Sequence, residues 1–182
     1  MDLTKLSEPL RADQIDFRIQ SINKGGYATI LAYKDARADQ QRLDEVCGAL
    51  NWQREHTRDN HNCIVSIWDD DKKQWVSKED TGTESNTEKE KGLASDSFKR
   101  ACFNWGIGRE LYDYPLIQVK LNADEADLAA SPRPKATWKL KLKEWMWFSI
   151  FEDNELSYLG AKDQNGKLRF EWGTRPQKTG DK

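Results

Sequence analysis

A chain of 182 residues, 37% hydrophobic and 33% charged, is long enough for one domain or one domain with an appendage, and its eight tryptophans argue against disorder. A formal net charge of −2 excludes a protein that coats nucleic acid with its whole surface, so any such binding must come from a local basic groove. No run approaches the roughly 18 apolar residues of a membrane span. The start, MDLTKLSEPLRAD, has an early acid and no apolar h-region and predicts no secretion signal. Cys47, Cys63 and Cys102 are odd in number and widely spaced, as suits reduced thiols in a cytosol.

In chain order, residues 10–22 read as a short helix, with Ile15, Ile19 and Ile22 at helical spacing. Lys24-Gly25-Gly26 is a turn, and residues 27–33 read as a strand. Asp35 can cap a second helix that runs through Ala49, with Leu43, Val46 and Cys47 turned inward and Gly48 near its end. Trp52 opens an extended run. Residues 63–68 form the next strand, and the acidic turn Asp69-Asp70-Asp71-Lys72 leads into another at residues 74–80.

A long helix follows. Thr87-Glu88-Lys89-Glu90 fits a capping box. Ala94, Phe98, Ala101, Cys102 and Trp105 make one inward stripe, while Lys89, Ser95, Asp96, Lys99, Arg100 and Phe103 fall on the other side. The helix breaks at Gly106 and Gly108 and closes on Leu111-Tyr112-Asp113-Tyr114-Pro115. Beyond it, residues 116–121 are a strand candidate and 122–134 an acidic, then Ala/Ser/Pro-rich linker. From Ala136 the text alternates, with Trp138, Leu140, Leu142, Met146, Phe148 and Ile150 on one parity and Lys139, Lys141, Lys143, Trp145 and Trp147 on the other. That predicts a strand, although WKLKLKEW could also start a helix. Asn165-Gly166 sits in a hairpin turn between residues 156–161 and 168–172, and residues 177–182 read as a frayed tail. The expected fold class is α+β: an antiparallel three- to four-stranded sheet packed by a long helix, a β-β-β-α core over residues 1–115, with a strand-rich extension and β-hairpin over 116–182.

Little here supports covalent chemistry. Gly106-Ile107-Gly108 is no phosphate loop, because no Lys-Ser/Thr follows and no strand precedes it. His56, His61 and Cys63 are too few for a closed zinc site. Glu79, Asp80 and Glu84 raise the thought of a nuclease, but read better as an acidic turn at a sheet edge. Lys99 and Arg100 point about 100° apart on their helix and present a broad cationic ridge; spacing alone favours a solvated face balanced by Asp96, Glu88 and Glu90. Arg133, Lys135, Lys139, Lys141 and Lys143, continued by Trp145 and Trp147, have the interleaving of a single-strand platform, or of a charged outer strand that discourages edge pairing.

The segment Glu90-Lys91, Ala94-Ser95-Asp96, Phe98-Lys99-Arg100-Ala101, then Trp105-Gly106-Ile107-Gly108-Arg109 and Leu111-Tyr112-Asp113 resembles the signature of the Rad-fifty-two family of single-strand annealing proteins, in the flavour of the bacteriophage recombinases called Sak. Upstream, Ile15-Asp16-Phe17-Arg18-Ile19-Gln20, Tyr33-Lys34-Asp35-Ala36-Arg37, Leu43-Asp44 and Gly48-Ala49-Leu50-Asn51-Trp52 follow in the family's order, so the resemblance covers residues 10–115. It implies that Lys99 and Arg100 line a DNA groove, joined by Arg18 and Arg37, which match basic positions of the family's upstream motifs; Lys91, two turns before the pair on the helix, and Lys78, beside the acidic turn, complete the candidate set by position. Tyr33 matches a family aromatic, which could also pack in the sheet. Phe103 stands where eukaryotic relatives place a further basic residue, and so would stack a base or bury against a neighbouring subunit. Lys139, Lys141 and Lys143 form a secondary set. The implied function is single-stranded DNA binding and annealing of complementary strands in recombination and repair, by a homo-oligomeric ring that needs no ATP, metal or other cofactor and performs no covalent catalysis. Expected partners are single-stranded DNA, further copies of the chain, and a single-strand-binding protein or exonuclease, with no membrane. The expected location is the cytoplasm of a bacterial or phage-infected cell. A scaffold that protects DNA ends or recruits other proteins without annealing is the rival, and a metal-dependent nuclease a distant third.

Overall fold

Period-two alternation, not helical spacing, decides the first element of the computed structural model, which describes residues 2–83 and 89–175, with the side chains of 89–91 left out. Ile15, Phe17 and Ile19 turn inward while Asp16, Arg18 and Gln20 turn out, so the expected helix over residues 10–22 is instead a short 3-10 turn, Ala12–Gln14, followed by strand β1 (Ile15–Ile22). Then come β2 (Tyr27–Lys34), α1 (Ala36–Cys47), β3 (Trp52–Thr57), β4 (Asn62–Asp69), β5 (Gln74–Thr81) and α2 (Lys89–Asn104). The remainder comprises β6 (Ile117–Lys120), the two-residue strands β7 (Ala126–Asp127) and β8 (Lys135–Ala136), and β9 (Met146–Glu152), β10 (Glu155–Lys162) and β11 (Leu168–Gly173). The fold is α+β, as expected. The capping box at residues 87–90 lies outside the described side chains.

The chain packs as two compact units that interleave in sequence: Met1–Leu10 with Lys34–Arg109, and Arg11–Tyr33 with Glu110–Lys182. This division differs from the expected boundary at residue 115. The reason is strand pairing: β6 aligns antiparallel with β2, Tyr27 opposite Lys120 and Ile30 opposite Ile117, which draws residues 11–33 into the second unit.

The first unit is the β-β-β-α arrangement. Antiparallel β3-β4-β5 runs in sequence order, with Cys63, Val65 and Ile67 buried along β4 beneath α2. Leu93, Phe98, Ala101 and Cys102 fill the facing side of that helix. Burying a side chain the size of Phe98 is worth about 1.5–3 kcal/mol, so this stripe alone outweighs any intrinsic helix preference. Asp35 caps α1 by accepting from the Arg37 amide at 2.8 Å, as its position predicts, and Gly48 ends the helix at φ +82°. The Arg42 guanidinium is buried and ties down the N-terminal segment through the Lys5, Glu8 and Pro9 carbonyls at 2.7, 2.8 and 3.1 Å. Cys47, Cys63 and Cys102 are buried free thiols; burial pushes Cys47 and Cys63 up to about 11 and Cys102 well above its ordinary value.

Gly106 shows why the end of α2 is written Trp-Gly-Ile-Gly. Its φ is +102°, and a Cβ there would fall 2.2 Å from Ser7 Oγ. Gly106→Ala combines a forbidden backbone angle with a clash and is expected to destabilise the protein by about 2 kcal/mol or more. Urea denaturation reads this directly; an unshifted midpoint would show that the Ser7 segment is not docked there.

The second unit contains the sheets β1-β2-β6 and β9-β10-β11 around a core of Ile22, Ala28, Ile30, Ile117, Val119, Leu121, Trp145, Leu159 and Ala161. The β10–β11 hairpin turns at Asn165-Gly166 as predicted, closed by the Asp163 amide on the Lys167 carbonyl at 2.9 Å. Residues 136–150 do not form the single strand that their alternation predicts. Lys135–Ala136 pairs with Ala126–Asp127, a 3-10 turn occupies Leu142–Glu144, and the strand begins only at Met146. The burial of Trp145 on the core overrides the parity pattern. No helix among the described residues is long and apolar enough to cross a membrane.

Candidate functional site

In the first unit the polar edge of α2 carries Lys99 and Arg100, both half-buried, next to one another on a helix whose other face is fully buried. Arg100 Nε lies 3.5 Å from Asp80 Oδ1 on β5, and its side chain stays 41% exposed. Asp80 is itself held, accepting from the Thr81 amide at 2.7 Å and from Asn104 Nδ2 at 3.2 Å. Lys99 faces the start of α1, where its charge adds a little to the lowering of the Asp35 carboxyl and weakly opposes the rise that burial imposes on Asp39. The exposed Arg37 guanidinium grips Asp35 with two nitrogens, Nε at 3.0 Å and Nη2 at 3.3 Å, and this pairing is the main reason the Asp35 carboxyl lies below its ordinary range. Arg37, Lys99 and Arg100 therefore share a region with Asp35 and Asp80, and the ridge is accessible but partly neutralised. The Lys91 side chain lies outside the described residues.

Under this ridge lies a pair that sequence reasoning missed. Lys34 and Asp39 form a fully buried ion pair; the Lys34 ammonium also donates to the Ile107 carbonyl at 2.5 Å and sits 4.1 Å from the Phe103 ring centroid. Phe103, half-buried, thus presents one ring face to a buried cation. Burial lifts the Asp39 carboxyl from its ordinary 3.8 to about 6, despite the opposing pull of Lys34 and smaller help from Lys99 and the Cys102 thiol. The one available signal was a lysine closing an otherwise apolar strand, five residues before an aspartate on the inward face of α1.

Lys78 has a structural partner. Its ammonium donates to the Asn104 carbonyl at 2.6 Å and lies 4.4 Å from the Trp105 ring centroid, so it caps the C-terminal end of α2. Arg109, also missed, does the same at the Phe103 carbonyl, with Nη2 at 2.8 Å. Both cations answer carbonyls that a helix end leaves without intrahelical partners.

The second unit holds the remaining candidates. The Arg18 guanidinium lies 5.5 Å from the centroid of the Tyr33 ring, which is 36% exposed. The lysine stripe is dispersed because residues 136–150 are not one strand: Lys139 pairs with Asp124 at 3.3 Å, Lys141 lies 5.9 Å over the Trp138 ring, and Lys143 borders a cavity. Among the described residues, no group of three or more His, Cys, Asp or Glu is placed to hold a metal. Of the acidic trio weighed for nuclease chemistry, Glu79 accepts from Asn62 Nδ2 at 2.6 Å, Asp80 is engaged as above, and Glu84 lies outside the described residues.

The family described as "Rad52/22 family double-strand break repair protein" matches residues 3–129, past the limit of the motif resemblance. The chain is 33% identical over 132 residues to the "Single-stranded DNA-binding protein DdrA" of Deinococcus radiodurans, covering 71% of this chain and 61% of that protein. It is 31% identical over 144 residues to the protein of the same name from Deinococcus deserti, covering 78% and 67% respectively. The chain thus spans roughly two thirds of the length of these relatives or less. No solved structure gives a significant match.

Proposed function

The chain belongs to the Rad52/22 family of double-strand break repair proteins, and on that premise we propose that it binds single-stranded DNA along the Arg37–Lys99–Arg100 ridge and anneals complementary strands without ATP, as a homo-oligomeric ring. The observation that carries the reading is the exposure of two adjacent cations on α2, Lys99 and Arg100, in a chain whose net charge is negative. Phosphate contacts position a strand and carry no sequence information, so a grip of this kind leaves bases available for pairing. One protomer offers few such cations; a closed ring repeats them along a strand and multiplies a weak grip. The relatives' shared name supports the binding step.

Quenched-fluorophore annealing of complementary oligonucleotides tests the proposal. Acceleration over the spontaneous rate supports it; binding without acceleration favours the end-protecting or recruiting scaffold, which the relatives' name fits equally well. The acidic partner of Arg100 gives a second handle. Asp80→Asn removes a carboxylate that competes with phosphate for Arg100, and is expected to raise single-strand affinity about threefold near 0.1 M salt, the scale of an exposed ion pair. Fluorescence anisotropy measures this, and unchanged or weakened binding would place the strand elsewhere.

A further inference from the structure

The cavity bordered by Lys143 encloses about 410 Å³, inside the size range of small-ligand sites, roughly 300–1,000 Å³. It is built within the second unit from β1, the end of β2, the Leu142–Glu144 turn and the start of β9. Its walls are aromatic, formed by Phe17, Tyr33, Trp145 and Trp147, with the exposed Asp16 and Lys143 as its charged groups. The rings are fixed before any ligand arrives. Phe17 and Trp147 stack with centroids 3.7 Å apart at an interplanar angle of 6°, and Trp145 lies near-parallel to Trp147 at 6.2 Å. The Arg169 guanidinium covers Trp145 at 4.6 Å and is locked by Glu125 and Asp163.

The chemistry of the lining says what the cavity takes. Flat rings to stack on, a carboxylate to receive N–H groups, and a rim ammonium for an anion complete the specification. An aliphatic ligand would use none of the polar groups.

We propose that this cavity receives one unpaired nucleobase of a bound single strand, stacked among Phe17, Tyr33, Trp145 and Trp147, with the Lys143 ammonium on its phosphate. The proposal rests on single-strand binding as the protein's function and adds a base-holding subsite to the phosphate-gripping ridge. One captured base per protomer fixes the strand against sliding and leaves its neighbours unpaired and accessible.

The test compares two labelled strands of equal length and charge: an ordinary oligonucleotide, and one whose bases are replaced by abasic tetrahydrofuran residues. The full chain should bind the base-bearing strand about tenfold more tightly, within the range of aromatic stacking on a base. Tyr33→Leu, at a third-exposed ring, should bring that ratio close to one. Lys99→Ala with Arg100→Ala should weaken both strands together and preserve the ratio. In parallel, deoxyadenosine monophosphate added to ¹⁵N-labelled wild-type protein should move the indole signals of Trp145 and Trp147, and not those of Trp68 and Trp75. Equal binding of the two strands, or unmoved Trp145 and Trp147 signals, overturns the base site while leaving strand binding intact. Failure to bind either strand overturns the underlying function as well.

Discussion

Alanine at both Lys99 and Arg100 is expected to weaken single-stranded DNA binding at least tenfold near 0.1 M salt and to flatten its salt dependence. Each phosphate neutralised on a single strand contributes about 0.7 to the slope of log K against log salt, so losing two contacts should remove about 1.4. The change should leave the fold standing, because both side chains are half-exposed at the edge of α2 and the packing of that helix depends on Leu93, Phe98, Ala101 and Cys102. The Arg100–Asp80 pair is partly exposed and worth about 0–1 kcal/mol at most. An unchanged salt slope in a folded double mutant would remove the ridge from the binding surface, whatever the affinity does. Arg37→Ala should act in the same direction but less, since Asp35 already occupies the Nε–Nη2 edge of its guanidinium.

Lys34→Met should be the most damaging single substitution for stability. It strands the Asp39 carboxylate in a site where both partners are essentially inaccessible, and breaking a buried pair in this way costs about 3–5 kcal/mol. It also removes the cation beneath the Phe103 ring and the donor to the Ile107 carbonyl, both at the end of α2. Lys34→Met combined with Asp39→Leu should recover most of the loss, because no uncompensated charge remains. If the double variant is no more stable than the single, the pair is not the cause. The dependence on pH has a definite sign. The folded Asp39 carboxyl titrates near 6 against an ordinary 3.8, so the folded state binds this proton more tightly than the unfolded chain. Its stabilising contribution is fully present below about pH 4 and fades as pH rises through about 6, the reverse of a carboxylate held low by a partner. Lys34→Met removes the attraction that favours the ionised form and pushes this window upward. The variant should therefore be less impaired at pH 5 than at pH 8, read from urea midpoints at the two values.

Several of these residues show where sequence reasoning reaches. The strands at Cys63 and Gln74 and the helix that follows were legible because each turns one face inward, which leaves a period of two in Cys63, Val65 and Ile67 and in Val76, Lys78 and Asp80, and a helical period in Phe98, Ala101 and Cys102; the strand at Trp52 carries no such alternation. The hairpin at Asn165-Gly166 and the Asp35 cap were legible because their chemistry is local. Ile15, Ile19 and Ile22 satisfied a helical template by coincidence, and the alternation of Ile15, Phe17 and Ile19 carried the correct period in the same eight residues. Trp138 to Ile150 alternated as cleanly and yet formed a strand only from Met146, because Trp145 is claimed by a core made from β2, β6 and β10. Lys78 and Lys99 look alike in sequence. One became a helix cap and the other stayed on the ridge, and only the position of the Asn104 carbonyl separates them.

By itself the sequence determined the α+β class, the sheet-and-helix order of the first unit, the adjacent cations on α2 and membership of a DNA-repair family, all of which reside in local spacing and motif. Tertiary structure alone decided which charges remain available, that Lys34 and Asp39 sink together beneath Phe103, and that Phe17, Tyr33, Trp145 and Trp147 enclose one cavity. The physical reason is that a side chain's partner, and so its burial and charge state, is set by segments distant along the chain; periodicity records which face turns inward but not what waits there.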